Sequence, residues 1–460
     1  MAVDFSRLPT EEPVPDDSPS QLLWTIVFFV LVLTGLFVVL LLWPKSLPTH
    51  TAQFWIALGA FPVGTATFVV LRRYSVYEGR RLDAVLANEA CRNYTERVFD
   101  AARIPLALVS AAYRFSADPA ENRTDAIRSG SLKLETREPI ARDGEPVKAR
   151  WLVVPEVTLA PGPKEHDRNR HRRVTKWLFD ELLNDLTSSL QGLPLSIDLC
   201  VHLVMSGGLG REENEALWQE SWCDRQLRRT SITEAAAGPV DLNSLDVWLD
   251  QLIETPSKEV RLIVAIQLHP LLSGSPPTGT AEAGVALLFV PDALASQLNV
   301  AHTAKLHRPV RAPYARSNDA LSHALKWANL AAADIPGGWQ TGLDATQAGM
   351  LRGPAVQLGL TVHPTKLDQT VGDAGVAAPW LAIACAADSL SADIESQIAF
   401  AGQAGTLDCA VLRWISDEAK QPERTAGFGN FDELSMALFT HQISINAEKR
   451  QAGSSRDETP

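Results

Sequence analysis

Two uncharged apolar runs open the chain. Residues 21–43 read QLLWTIVFFVLVLTGLFVVLLLW, and residues 52–71 read AQFWIALGAFPVGTATFVVL. Each has about the 20 residues that a helix needs to cross a bilayer core. In lipid, a helix satisfies its own backbone hydrogen bonds. Neither run has the polar face of a helix packed on a soluble core. A cleaved leader is not expected, because the start is acidic and the apolar stretch exceeds about 15 residues. The pattern predicts a transmembrane hairpin: one span over 21–43, a short external loop over 44–51 and a second span over 52–71.

After the hairpin the pattern changes to short apolar runs alternating with amphipathic ones. Residues 72–101 read as a helical linker, with Leu82, Val85, Leu86, Ala90, Tyr94 and Val98 at helical spacing. Residues 104–115, 150–159, 196–206, 259–269, 283–290 and 407–414 read as strands. Val174, Trp177, Leu178, Leu182, Leu186 and Leu190 predict a helix over 174–190. Further helices are expected over 212–222, 242–253, 318–330 (capped by Ser317 or Asn318), 371–390 and 432–438. Strands apolar on both faces, alternating with helices, indicate a layered α/β body. We divide it into halves at 102–300 and 301–446. Polar, acid-rich residues 1–20 and polar residues 447–460 read as disordered tails.

Charge decides orientation. The connection between the spans holds Lys45, whereas Arg72, Arg73, Arg80 and Arg81 follow the second span. The positive-inside rule then puts the body in the cytoplasm of a bacterial cell, on a multi-pass inner-membrane anchor. Trp24, Trp43 and Trp55 near the span ends, with Arg72 and Arg73, are candidate membrane-interface residues. The net charge of −12 argues against nucleic acid as a partner. Five cysteines without C-x-x-C spacing read as reduced thiols, consistent with a cytoplasmic body.

Candidate chemistry is sparse. The window KEHDRNRHRR at 164–173 is the most basic in the chain and reads as a solvated loop and helix start. Its Arg168, Arg170, Arg172 and Arg173 are candidate contacts to lipid phosphates or an acidic protein. His166 and His171 lack partners at ligand spacing, so no metal is expected. Gly207, Gly208 and Gly210 read as a tight turn, because Glu212 and Glu213 stand where a phosphate would sit. There is no G-x-S-x-G, H-E-x-x-H or P-loop motif, and no cofactor is expected.

The body resembles the thiolase-like superfamily, which includes the ketoacyl synthases. KEVRLIVAIQLH with AEAGVALLFVPDALA, then ALKWANLAAADIPGGWQTGLDATQAGMLRGPAVQLGL, TKLDQTVGDAGVAAPWLAIACAADSL and TAGFGNF, follow that superfamily's order. The resemblance implies a layered α/β/α fold behind the two-helix hairpin. It also implies a nucleophilic cysteine at a helix start and two catalytic histidines. This chain has Leu242 and Asn243 at the first place, Trp339 and Gln340 at the second, and Asp373 at the third. The scaffold is expected to persist without the chemistry, in a chain that is not an enzyme. The membrane segments and GDAGVAAPWLAIACAADSL further resemble the adaptors for type VI secretion lipase effectors. That resemblance implies an anchored adaptor that binds a secreted phospholipase and presents it to the spike protein. The alternatives are a membrane-bound acyl-thioester enzyme and a structural or sensory membrane protein.

Overall fold

The computed structural model describes residues 8–415, apart from 16–17, 45–47, 143, 156, 229, 233–239, 256, 362 and 404. The expected helix at 432–438 and the TAGFGNF turn lie outside these residues. Helix α1 (Gln21–Leu42) and helix α2 (Ala52–Ala102) form the hairpin. Both are long and apolar enough to cross a membrane. No residue of α1 is buried, and Phe29, Leu33, Phe37 and Leu41 stand uncovered along it. The helices meet closely where Gly35 faces Pro62. A Cβ on Gly35 would lie 2.8 Å from the proline Cβ.

The second span and the helical linker run on as one 51-residue helix; residues 72–101 contain no proline to end it. One expectation for this region is corrected. The described part of the acidic tail is a strap laid along α2. Asn88 accepts from the Glu12 amide at 2.7 Å and donates to the Glu12 carbonyl at 2.9 Å. The Arg92 guanidinium donates to both Glu11 oxygens, at 2.7 and 3.0 Å. Tyr77 and Tyr74 donate to the carbonyls of Pro15 and Pro19, each at 3.3 Å.

The body is built from a repeat. Its first copy runs β1 (Leu106–Arg114), α3 (Thr124–Arg128), β2 (Thr136–Arg137), β3 (Val147–Lys148), α4 (Lys164–Gly192), β4 (Asp198–Ser206), α5 (Arg211–Asp224), β5 (Ser231–Ile232), α6 (Leu242–Glu254), β6 (Glu259–Gln267) and β7 (Ala283–Pro291). Helix α7 (Asp292–Gln297) leads to the second copy. That copy comprises β8 (Ala304–Leu306), β9 (Val310–Pro313), α8 (Ser317–Ala328), β10 (Gly337–Thr341), α9 (Ala345–Gln357), β11 (Thr365–Lys366), α10 (Leu367–Thr370), α11 (Ala378–Asp388), β12 (Ser396–Gln403) and β13 (Thr406–Trp414).

Within the first copy the strands lie in the order β5-β4-β6-β7-β1, and within the second β11-β10-β12-β13-β8, with β9 also on β13. Numbered one to five along each copy, both read 3-2-4-5-1. The fifth strand is antiparallel to its neighbours, and strands two, three and four are mutually parallel. β8 pairs with both β13 and β1 and so joins the two copies into one sheet.

Each strand hides two faces, which is why the strands read as continuous apolar runs. Inner faces of both copies share one core with α6 and α11. The outer face of the first copy is covered by α4 and α5, and that of the second by α8 and α9. α11 lies between strands on several sides and buries Ala378, Pro379, Trp380, Leu381, Ala382, Ile383, Ala384, Cys385 and Ala386. Small alanines let a helix fit this confined layer.

Three sequence expectations fail locally. The described residues of 150–159 form no strand, only an isolated bridge from Arg150 to Ala281. There the Leu152 amide donates to Glu282, and the Leu152 carbonyl accepts from Arg170 at 3.2 Å. Side chains thus occupy the groups that a neighbouring strand would need. Helix α4 begins at Lys164, so the basic window is helix rather than loop. Helix α8 begins at Ser317 without a side-chain cap, after the short helical turn Tyr314–Arg316.

Candidate functional site

The N-terminus of α6 is the place where the superfamily resemblance implies a nucleophilic thiol. Among the described residues no cysteine stands there. Asp241 caps the helix instead, its Oδ1 accepting from the Ser244 amide at 3.2 Å. Its Oδ2 accepts from Arg311 on β9 at 2.8 Å. Arg311 also grips Asp408 on β13 with two bonds of 2.6 Å and reaches Gln403 at 3.2 Å. The hydrogen bonds it donates to Asp408 and Asp241 hold the guanidinium firmly charged, well above its ordinary pKa. An ion-pair network therefore closes this helix start. Cys385 and Cys409 are fully buried elsewhere, and burial pushes both thiols far from ionisation.

The other two expected positions lie at the ends of β10 and of the α10 turn. Trp339 points into the inner core and is completely buried, while Gln340 is 6% exposed. Beyond them, Thr341 donates to Asp368 at 2.7 Å, and the Gly342 amide donates to the same carboxylate at 2.8 Å. Gly342 has a φ of +68° and packs against the Gly402 carbonyl, so no side chain fits there. Burial raises the pKa of Asp368; the hydrogen bond from Thr341 opposes this only in part, and Asp373 adds to the rise. Asp373 accepts from the Gly375 amide at 2.9 Å. Its backbone is clamped to the β6–β7 connection, donating to Gly279 and accepting from Ala281, both at 2.8 Å. Gly372, with φ of +110°, makes this close approach against Thr280 and Ala281.

This rim lies at the C-terminal end of the parallel strand β10, the end at which open α/β sheets hold ligands. The geometry offers a carboxylate whose protonated form is favoured by burial, a buried hydroxyl on it, and a second carboxylate nearby. Such a group can take and return a proton. Sequence reasoning reached Gln340 and Asp373 but not Asp368, Thr341, Arg311 or Asp241. The signal was there for Asp241, as an Asp three residues before a Ser at a helix start.

The basic window is divided by the helical period. Arg170 faces inward, 2% exposed, and is removed from the candidate contact residues by a two-bond ion pair with the fully buried Glu282. Arg168 is exposed and bonded to Glu213 at 2.7 Å, and Arg172 and Arg173 are exposed. His171 is buried. Its Nδ1 accepts from the Gly208 amide at 2.8 Å, so its Nε2 donates to the His269 carbonyl at 2.9 Å. This neutral histidine braces the glycine turn after β4. His166 stands over Gly162 instead.

Among the described residues one cluster has metal-ligand composition: Cys200, His202 and Glu259 hold their donor atoms within 4.8 Å of one another. Arg261 donates to Glu259 at 2.6 Å, and burial together with this cation lowers the His202 pKa to about 4. A guanidinium at that distance repels a metal ion, so these residues do not fit one.

Of the candidate interface residues, Trp43 meets Phe54 edge-on at 5.0 Å, next to the exposed Trp55, at the connection between the spans. Trp24 begins α1 at the opposite end. There Tyr74 touches Pro19, and exposed Arg72 and Arg73 precede it on α2.

No known family model matches the chain, and no curated protein matches it. Solved structures of similar fold include ketosynthases. One, from module 6 of the bacillaene synthase of Bacillus subtilis 168, is 13% identical with a TM-score of 0.49, covering 77% of each chain. The ishigamide ketosynthase/chain length factor is 14% identical with a TM-score of 0.47, over 68% of this chain and all of that one. Ketosynthase twelve of the bacillaene polyketide synthase in Bacillus amyloliquefaciens is 12% identical with a TM-score of 0.47, over 69% and 76%. The expectation of a chain that is not an enzyme is corrected by this comparison, since the structures sharing its fold belong to enzymes. Fold alone carries no reaction with it. The chain has a thiolase-like α/β fold following two apolar N-terminal helices.

Proposed function

We propose that the chain is a membrane-anchored thiolase-like enzyme acting on acyl-thioesters, with its body in the cytoplasm. The observation that carries this reading is Asp368. Its carboxylate accepts from the Thr341 hydroxyl at the ligand-holding end of β10, and burial raises its affinity for a proton. With no thiol at the start of α6, the acyl group is not handed to a cysteine. Asp368 takes a proton from water, the hydroxide attacks the thioester carbonyl, and the thiol leaves carrying the returned proton. The products are a carboxylic acid and a free thiol. The test is release of thiol from acyl-coenzyme A by the full chain in lipid nanodiscs. Asp368→Asn should lower the rate by about 100-fold at an unchanged melting temperature. No turnover, or acylation of a cysteine, overturns the reading.

The closed start of α6 favours a second reading, in which the scaffold is kept for its surface. On it, the chain is an inner-membrane adaptor that holds a type VI secretion lipase effector for the spike protein, with Arg168, Arg172 and Arg173 as contacts. Affinity purification from membranes tests it: a lipase should co-purify, and an Arg172→Glu, Arg173→Glu variant should lose it. A purification that brings down no lipase rejects this reading.

A further inference from the structure

A cavity of about 540 Å³ lies between α9 and the outer face of β10, β11 and β12. Its size is that of a small-molecule site. Strand register lays its floor out as a gradient. Phe400 on β12, Gln340 on β10 and Lys366 on β11 are successive partners across the three strands. Cross-strand partners share a face, so the row runs from an aromatic ring through an amide to a cation over about 10 Å. Leu351 and neighbouring apolar residues of α9 roof the Phe400 end. Arg352, His363 and Lys366 supply the basic part of the lining. None of the fifteen lining residues is acidic, although the chain carries 54 Asp and Glu. Neither Arg352 nor Lys366 pairs with a carboxylate among the described residues. The amide of Gln340, almost wholly buried, likewise has no hydrogen-bond partner there.

We propose that this cavity binds a single-chain amphiphile with an anionic head, its tail over Phe400 and its head between Lys366 and Arg352. An alkyl chain matches the apolar end, where an empty cavity would lack contacts. A carboxylate or phosphate matches the two cations and can accept from the Gln340 amide. Helix α9 carries Gly349, Gly353 and an internal Pro354, residues that weaken a helix and let it yield to a guest. The site is separate from Asp368 in what it contacts, so it stands whether or not Asp368 is a base.

The test uses the full chain in nanodiscs with a diazirine analogue of dodecanoate, and mass spectrometry of the labelled peptides. Label should appear within residues 340–366 and at Phe400, the residues that line the cavity. Lys366→Glu should reduce it about tenfold, and Lys366→Gln less. Ala348→Trp, at a half-exposed lining position, should abolish it without changing the melting temperature. Competition then assigns the head. Stronger displacement by dodecanoate identifies a fatty acid, and stronger displacement by dodecyl phosphate identifies a phosphate ester. Equal displacement by uncharged dodecanol, label confined to α1 and the span of α2, or label that survives Ala348→Trp overturns the proposal.

Discussion

At the scale of single residues, the body depends on buried ion pairs whose partners come from distant parts of the chain. Arg311 serves Asp408, which is 1% exposed, and Asp241 at once. Removing the cation strands a buried carboxylate, so Arg311→Met should cost about 3–5 kcal/mol in denaturant unfolding. Adding Asp408→Leu should recover part of that loss, because the uncompensated charge is then gone. Failure of the second change to recover stability would mean that packing, not charge, governs the site. Such partnerships are not legible in sequence. Arg170 looked like its exposed neighbours Arg168 and Arg172 until the turn of α4 aimed it at Glu282, a residue 112 positions away.

Acid sensitivity belongs to the same scale. Burial first, then the Arg261 cation, lowers His202 to about 4; burial first, then Arg413, does the same for His307. Unfolded histidine titrates near pH ~6.5. A depressed folded pKa means that the neutral form is favoured in the fold. The stabilisation is therefore complete above pH ~6.5 and is lost as pH falls toward 4, by up to about 3 kcal/mol for each histidine. Asp167 adds to the loss at still lower pH. Burial opposes its ionisation, but hydrogen bonds from Ser273, Leu272 and Leu271 outweigh that and lower its pKa. Melting temperature measured from pH 7 to 4 should fall, and a His202→Gln, His307→Gln variant should show a flatter profile. An unchanged slope would place the acid-sensitive groups elsewhere.

At the scale of elements, the hairpin joins where Gly35 meets Pro62. Gly35→Leu would drive a branched side chain into the proline ring, and overpacking of this kind costs about 1–3 kcal/mol. The expected result is a lower melting temperature with an intact body, read as loss of the hairpin's share alone; no change would show that the helices are apart in lipid. Strands β4, β6, β7 and β13 were legible because burial on both faces leaves a continuous apolar signature. The strap along α2 was not, since its prolines and acids read as disorder, and its partners Asn88 and Arg92 look like ordinary helix surface. Residues 150–159 misled for the opposite reason. They have a strand's composition, but pairing stops at a single bridge from Arg150 to Ala281, and the hydrogen bonds of Leu152 go to the side chains of Glu282 and Arg170.

At the scale of the molecule, the doubled 3-2-4-5-1 order is the feature least visible in the residues. The two copies share no obvious repeat of sequence, and it was the ordered set of motifs that pointed to the fold. The same motifs located the site only by what they lacked: Leu242, Gln340 and Asp373 mark the empty positions, whereas Asp241, Arg311 and Asp368 fill them. Topology also decides which side of the membrane any of this chemistry can reach. Lys45 on the connection is outnumbered by Arg72, Arg73, Arg80 and Arg81 on the body side of α2, and cationic residues beside a span are retained in the cytoplasm. α2 runs unbroken from the candidate span to Ala102, where Phe99 packs on Trp327 of α8 at 4.7 Å, so on the proposed orientation the body follows α2 out on that side. Cys223 is exposed on the body, and His50 is exposed on the connection. In intact spheroplasts a membrane-impermeant maleimide should label a His50→Cys variant and leave Cys223 untouched until the membrane is opened. Labelling of Cys223 from outside would put Asp368 beyond the reach of cytoplasmic acyl-thioesters and remove the proposed substrate along with the orientation.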